Sequence, residues 1–192
     1  MLNEIPFELL LYIFSFLDFE EKIKNVYMVN NKFNKAVLMS ENIKITKIET
    51  MRFLKKLNPI VLRIEHRYIC YPMLEIIIRK YTKLRSLSLR NSIPWYTDIN
   101  LISNLTKLTK LDLSNLFIIR DMTIIMISKK CRSLVYLDIS NNYQLTNLSL
   151  KFIADYLNKL RYLNISKNLN YDPLNIKNIK NKCKKLIVYI FT

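Results

Sequence analysis

Leu108, Leu134, Leu160 and Leu186 stand 26 residues apart, three intervals in succession with no gap. Nothing else in the chain restricts its fold as much, because a fixed period of this length marks stacked units that cannot bury their apolar faces singly. Other apolar positions keep the interval: Leu111, Leu137, Leu163 and Tyr189; Leu113, Ile139, Ile165 and Phe191; Ile119, Leu145 and Tyr171; Met122, Leu148 and Leu174; Ile127, Ile153 and Ile179; Cys131, Leu157 and Cys183. Upstream, Leu84, Leu87 and Leu89 repeat the opening, and a weaker copy is centred on Leu62 and Ile64. The opening LxxLxL alternates with period two, the mark of a short strand with one buried face. Asp121 to Lys130 and Thr146 to Leu157 carry apolar residues at helical spacing, with Asp121 and Thr146 expected as N-caps. Strand, turn and helix recur, so residues 41–192 are expected to form a parallel-stranded α/β solenoid of about five to six units, each about 24–26 residues long.

Composition removes several functions. The 192 residues include no glycine, so the phosphate-cradling loops and nucleophile elbows that need its conformational freedom are missing. His66 is the single histidine, and Cys70, Cys131 and Cys183 are too far apart in sequence for a CxxC pair. No metal and no cofactor is expected. Cys131 and Cys183 share a column with Leu157 and Tyr81 and read as small buried hydrophobes, not nucleophiles. His66 has Cys70 nearby but no third group to complete a catalytic set. Trp95 shares the column of Ile119 and Leu145 and is expected in the core.

Residues 1–40 break the repeat. Pro6 suits the first turn of a helix, and Glu8 follows where the macrodipole favours an acid. From Phe7 to Leu17 the segment is apolar nearly all round, which demands burial or a partner. It is well short of the roughly twenty residues a bilayer crossing needs. Glu4 and Glu8 stand where a secretory signal carries positive charge, so a reducing compartment, cytoplasm or nucleus, is expected. The formal charge of +16 raises the question of nucleic acid or acidic lipid. That charge is spread along the chain, and a sequence crowded with Lys, Ile, Asn and Tyr matches A/T-rich codons, so a phosphate-binding role is the weaker reading.

The repeating part resembles the leucine-rich-repeat family, in its cysteine-containing subtype, through LRSLSL, LTKLDL, LVYLDI and LRYLNI and the lead-in from Cys131 to Leu134 and Cys183 to Leu186. The asparagine of that pattern is present as Asn142 and Asn168 but replaced by Ser92 and Leu116, which puts the turns of the earlier units in question. The stretch IPFELLLYIFSFLDFEEKIKNVYMVNNKF resembles the F-box motif, with Ile5 and Pro6 in its leading LP place, Ile13, Phe14 and Leu17 in its helix, and Val29 and Phe33 at its end. Asn30 and Asn31 depart from the usual Cys-Lys.

Together these resemblances imply a short helical F-box over residues 1–40, then a solenoid with parallel strands on the concave face and helices on the convex face. They imply a non-catalytic substrate receptor of an SCF-type cullin–RING ubiquitin ligase, which binds the Skp-family adaptor and holds an unknown protein for ubiquitination and degradation. Adaptor contacts are expected from Ile5, Pro6, Leu9, Ile13, Leu17 and Phe33. The outward positions of LxxLxL supply the candidate substrate face: Arg85 and Arg90; Lys110 and Asp112; Tyr136 and Asp138; Arg161, Tyr162 and Asn164. A row containing Asp112 and Asp138 is a poor phosphate reader, which weighs against nucleic acid. The short array also leaves open a chain that occupies the adaptor without delivering a substrate, or a general protein-binding scaffold.

Overall fold

The computed structural model describes residues 42–45, 59–64, 68–95, 98–168, 170–183 and 186–189, with the single positions 6, 9, 12, 13 and 31. Its strands are β1 (Asn42–Ile45), β2 (Val61–Ile64), β3 (Tyr68–Cys70), β4 (Ser86–Ser88), β5 (Ile93–Trp95), β6 (Lys110–Asp112), β7 (Tyr136–Asp138), β8 (Tyr162–Asn164) and β9 (Ile187–Tyr189). Seven of them make one sheet in the order β1-β2-β4-β6-β7-β8-β9, parallel throughout. β3 and β5 pair in parallel as a separate ribbon. The helices are α1 (Tyr71–Lys80), α2 (Asp121–Lys130), α3 (Asn147–Tyr156) and α4 (Pro173–Lys182), with a 3₁₀ helix at Ile99–Asn104 in place of an α-helix between α1 and α2. This is the expected leucine-rich-repeat solenoid.

The core lies between sheet and helices. Leu87, Leu111, Leu137 and Leu163 are in register on neighbouring strands and fully buried. They meet Ile124 and Ile127 of α2 and Leu150 and Ile153 of α3 in one continuous cluster. Each fully buried leucine or isoleucine contributes about 1.5–3 kcal/mol of transfer free energy, and stacking supplies it because no unit encloses its own core. Tyr81, Leu105, Cys131, Leu157 and Cys183 end the helical turns, and each accepts, at its carbonyl, the N–H of the leucine three residues on.

Four expectations need correction. The sheet has seven strands, one more than the leucine pattern marks, because β1 lacks the leading leucines. The last unit is one residue short: Leu163 pairs with Val188, not with Tyr189. Val188 packs against the core and Ile187 is exposed, so alternation holds in the shifted register. The apolar column Met122, Leu148 and Leu174 is not core, being 59%, 46% and 62% exposed. Each is the second residue of its helix, about 200° of rotation from the inward-facing residue two positions on. Asp121 is not an N-cap. Arg120 takes that place without a side-chain capping bond, its guanidinium donating instead to Gln144 Oε1 at 2.9 Å, while the Asp121 carboxylate accepts the N–H and hydroxyl of Thr146 in the next unit, at 2.9 and 2.6 Å. Thr146 does cap α3, accepting the Leu148 N–H at 3.2 Å.

The turns after the strands hold positive φ without glycine. Asn91, Asn115, Asn141 and Lys167 lie at φ 60°, 59°, 56° and 60°, the region asparagine enters most readily after glycine. Their side chains form a ladder, Asn115 Nδ2 donating to Asn91 Oδ1 and Asn141 Nδ2 to Asn115 Oδ1, both at 2.6 Å. Beside it, the buried Asn142 accepts the Leu116 N–H at 3.0 Å and donates to the carbonyls of Leu113, Ile139 and Ser140. Ser92 substitutes well at the equivalent place, its hydroxyl donating to the Ile64 carbonyl at 3.2 Å. Leu116 does not: the chain tightens there, Ile118 N–H reaching the Leu116 carbonyl at 2.6 Å with Phe117 forced to φ 53°. Phe117 then stacks on Tyr143, ring centroids 5.5 Å apart.

Candidate functional site

The strand face turned away from the helices carries two outward columns. One runs Ser86, Lys110, Tyr136, Tyr162 and Ile187; the other runs Arg63, Ser88, Asp112, Asp138 and Asn164. Strand register therefore sets both columns, and each side chain emerges because its neighbours on either side, such as Leu111 between Lys110 and Asp112, point inward.

The second column is largely spent on the fold. Asp112 Oδ1 accepts the N–H and hydroxyl of Ser114, Asp138 Oδ1 those of Ser140, and Asn164 Oδ1 those of Ser166. The spacing Asx-x-Ser closes a local turn in each unit. Cross-links then join the units: Ser88 hydroxyl to Asp112 Oδ2 at 3.2 Å, and Asn164 Nδ2 to Asp138 Oδ2 at 3.0 Å. Asp138 is only 7% exposed. Both of its oxygens accept bonds from inside the protein.

The first column stays outward. The Tyr136 and Tyr162 rings stack with centroids 4.2 Å apart and planes 6° from parallel. Lys110 Nζ sits 4.4 Å from the Tyr136 ring centre, within cation–π range. Burial, and secondarily the nearby Asp138 carboxylate, raise the Tyr136 phenol well above the ordinary tyrosine range, so it remains a neutral hydrogen-bonding group. Beyond the stack, Ile187 is 58% exposed.

Lys110, Asp112 and Tyr136 join Arg63, Ser86, Ser88 and Arg90 around a hollow of about 480 Å³. The sequence pattern overlooked Arg63, although it is the one outward position between Leu62 and Ile64 of the weak repeat. Arg85, Asp138, Arg161, Tyr162 and Asn164 are not in this hollow. Arg85 donates to the Lys107 carbonyl at 3.4 Å, and Arg161 lines a second hollow with Lys159, Lys182 and Cys183.

Among the adaptor candidates, Pro6, Leu9 and Ile13 are described and exposed, and Leu9, Tyr12 and Ile13 have helical backbone. Ile5, Leu17 and Phe33 lie outside the described residues, as do His66 and the side chains of Cys70 and Trp95. Cys131 is buried, its thiol pushed up to about 11 by burial and pointed at the carbonyls of Ser103 and Leu105. Burial raises Cys183 as well. Protonated thiols of this kind are poor nucleophiles. Among the described residues no group of His, Cys, Asp or Glu could hold a metal ion, and no helix is long and apolar enough to cross a membrane.

No protein-family model and no curated protein matches the chain. Solved structures do. An internalin (InlF) from Listeria monocytogenes superposes with a TM-score of 0.56 at 18% identity, over 83% of this chain and 50% of that one. A chain of the Toll–Spätzle complex of Drosophila superposes with a TM-score of 0.53 at 16% identity, over 83% of this chain and 21% of that one. The chain thus spans half or less of the length of these proteins. At such identities the likeness shows the leucine-rich-repeat fold.

Proposed function

We propose that the chain is a protein-recognition subunit of an SCF-type cullin–RING ubiquitin ligase, active in cytoplasm or nucleus, with residues 1–40 docking the Skp adaptor and the solenoid holding a target protein. The observation that carries this reading is the exposure of Leu9 and Ile13, in helical backbone within the stretch that resembles an F-box, ahead of a solenoid with an outward polar face. Exposed large apolar side chains of this kind suit a partner that covers them. Such a receptor acts by proximity: it raises the effective concentration of target lysines near the conjugating enzyme. The Toll–Spätzle complex provides a case of this fold bound to a protein.

The test is copurification with the Skp adaptor. A one-to-one complex is expected for the full chain, with loss of the complex in Leu9→Asp combined with Ile13→Asp. A monodisperse, folded chain that binds no adaptor would leave a general protein-binding scaffold. A second reading, occupancy of the adaptor without substrate delivery, predicts the same complex but no cellular protein whose half-life depends on it.

A further inference from the structure

The outward face is charge-polarised along the solenoid. At its early end Arg63, Arg90 and Lys110 surround the hollow, and among the described residues no carboxylate forms an ion pair with any of them. The acid in the same hollow, Asp112, already accepts three hydrogen bonds from Ser88 and Ser114. At the late end the first column turns apolar, with the Tyr136–Tyr162 stack and the exposed Ile187, while Arg161 lines the separate hollow with Lys159 and Lys182.

We infer that this face binds an extended acidic peptide segment whose carboxylates sit over Arg63, Arg90 and Lys110 and whose apolar residue rests against Tyr162 and Ile187. The partner's class rests on the reading that the solenoid holds a protein. β2 to β8 are five consecutive strands of the sheet, and at a spacing of about 4.8 Å they span about 19 Å, the reach of about six residues of extended chain. The cations supply long-range attraction and orientation, and the tyrosine end fixes register.

Nucleic acid fits this surface less well. Both faces of Tyr136 are covered, one by Tyr162 and the other by Lys110, so no base can stack on it. Asp112 within the hollow repels a continuous polyanion but tolerates carboxylates placed singly around it.

The experiment measures fluorescence anisotropy of a labelled peptide with an Asp/Glu half and a Leu/Phe half, added to the full chain. The same peptide with lysine for every acid, and a labelled oligothymidylate, are compared. Arg63→Glu with Arg90→Glu and Lys110→Glu is expected to weaken the acidic peptide at least about tenfold. Lys151→Glu with Lys177→Glu and Lys180→Glu on the helices removes the same charge and is expected to change affinity less than about twofold. Equal losses in the two triple variants mean diffuse attraction by a +16 chain and overturn the inference. Tighter, Arg63-dependent binding of oligothymidylate also overturns it. Tyr162→Ala, which alters no charge, covers the case of a triple variant that does not fold: it is expected to weaken the two-part peptide about threefold and leave an all-acidic peptide unchanged. Failure of the acidic peptide to bind a preparation that still copurifies with the adaptor overturns this inference and leaves the receptor reading standing. Peptide binding without any adaptor complex sustains this inference and removes the ligase.

Discussion

The two outward columns of the same strands differ in what their polar groups do. Asp112, Asp138 and Asn164, with the asparagine turns behind them, point into hydrogen bonds that the protein itself supplies. Lys110, Tyr136 and Tyr162, two residues earlier on each strand, contact one another through ring faces. The first set ties unit to unit and the second is presented outward. An outward position in a repeat is therefore not by itself a binding position; what separates the two is whether a serine two residues on, or an asparagine one unit on, engages the polar atoms first.

The largest effect expected from breaking this division is at Asn142. Alanine there strands the Leu116 N–H and the Leu113 carbonyl in a buried site, and leaves the Ile139 and Ser140 carbonyls only their bonds from Asn168 Nδ2 and the Asn115 N–H. The expected cost is about 3 kcal/mol, a drop in Tm of about 10 °C. A shift of a degree or two would mean that the asparagine turns are not what joins the units. Asp138→Ala should follow at about 2 kcal/mol, since Ser140 and Asn164 lose a charged acceptor. Peptide affinity, corrected for the fraction folded, should not move. Tyr136→Ala reverses the pattern: one stacked pair and one cation–π contact on a half-buried surface are worth about 1 kcal/mol by denaturant titration, while peptide binding should fall clearly. If Asp138→Ala and Tyr136→Ala affected binding and stability in the same ratio, the columns would not be functionally distinct.

How much of this the sequence revealed depended on whether a single residue type carried the signal. The 26-residue leucine period gave the sheet register from Leu111 to Leu163 and the limits of α2, because burial of a leucine is a local, repeated demand. β1 was hidden, as parallel pairing with β2 places no leucine requirement on Asn42–Ile45. The last unit was misread by one residue because Leu186, Ile187, Val188 and Tyr189 are all apolar, so alternation could be threaded in either phase. Met122, Leu148 and Leu174 repeat faithfully and still face outward, which shows that periodicity reports equivalence between units and not burial. At the candidate site, the sequence marked the outward columns but could not separate them. The clue was present in DLS, DIS and NIS, where the serine two residues after each acid or amide predicts a closed turn. The abundance of asparagine, read as an effect of codon composition, also has a structural use in a chain without glycine.

That last point gives the smallest predicted effect and the finest test of the comparison. Asn141 and Lys167 hold nearly the same backbone conformation, φ 56° and 60°, in equivalent turns. Asn141 also donates to Asn115 at 2.6 Å, whereas the lysine side chain at 167 is exposed and has no amide with which to extend the ladder. Glycine at either site relieves the steric cost of a left-handed residue and adds backbone entropy to the unfolded state, for a net gain of about 0.5 kcal/mol where nothing else is lost. Lys167→Gly should therefore stabilise by about that amount. Asn141→Gly forfeits a ladder bond worth about 1 kcal/mol and should destabilise by about 0.5 kcal/mol. The opposite signs, read as shifts in denaturant midpoint at constant m-value, are the prediction. If both substitutions stabilise equally, asparagine is in these turns only for its backbone conformation, and the ladder adds nothing to the joining of the units.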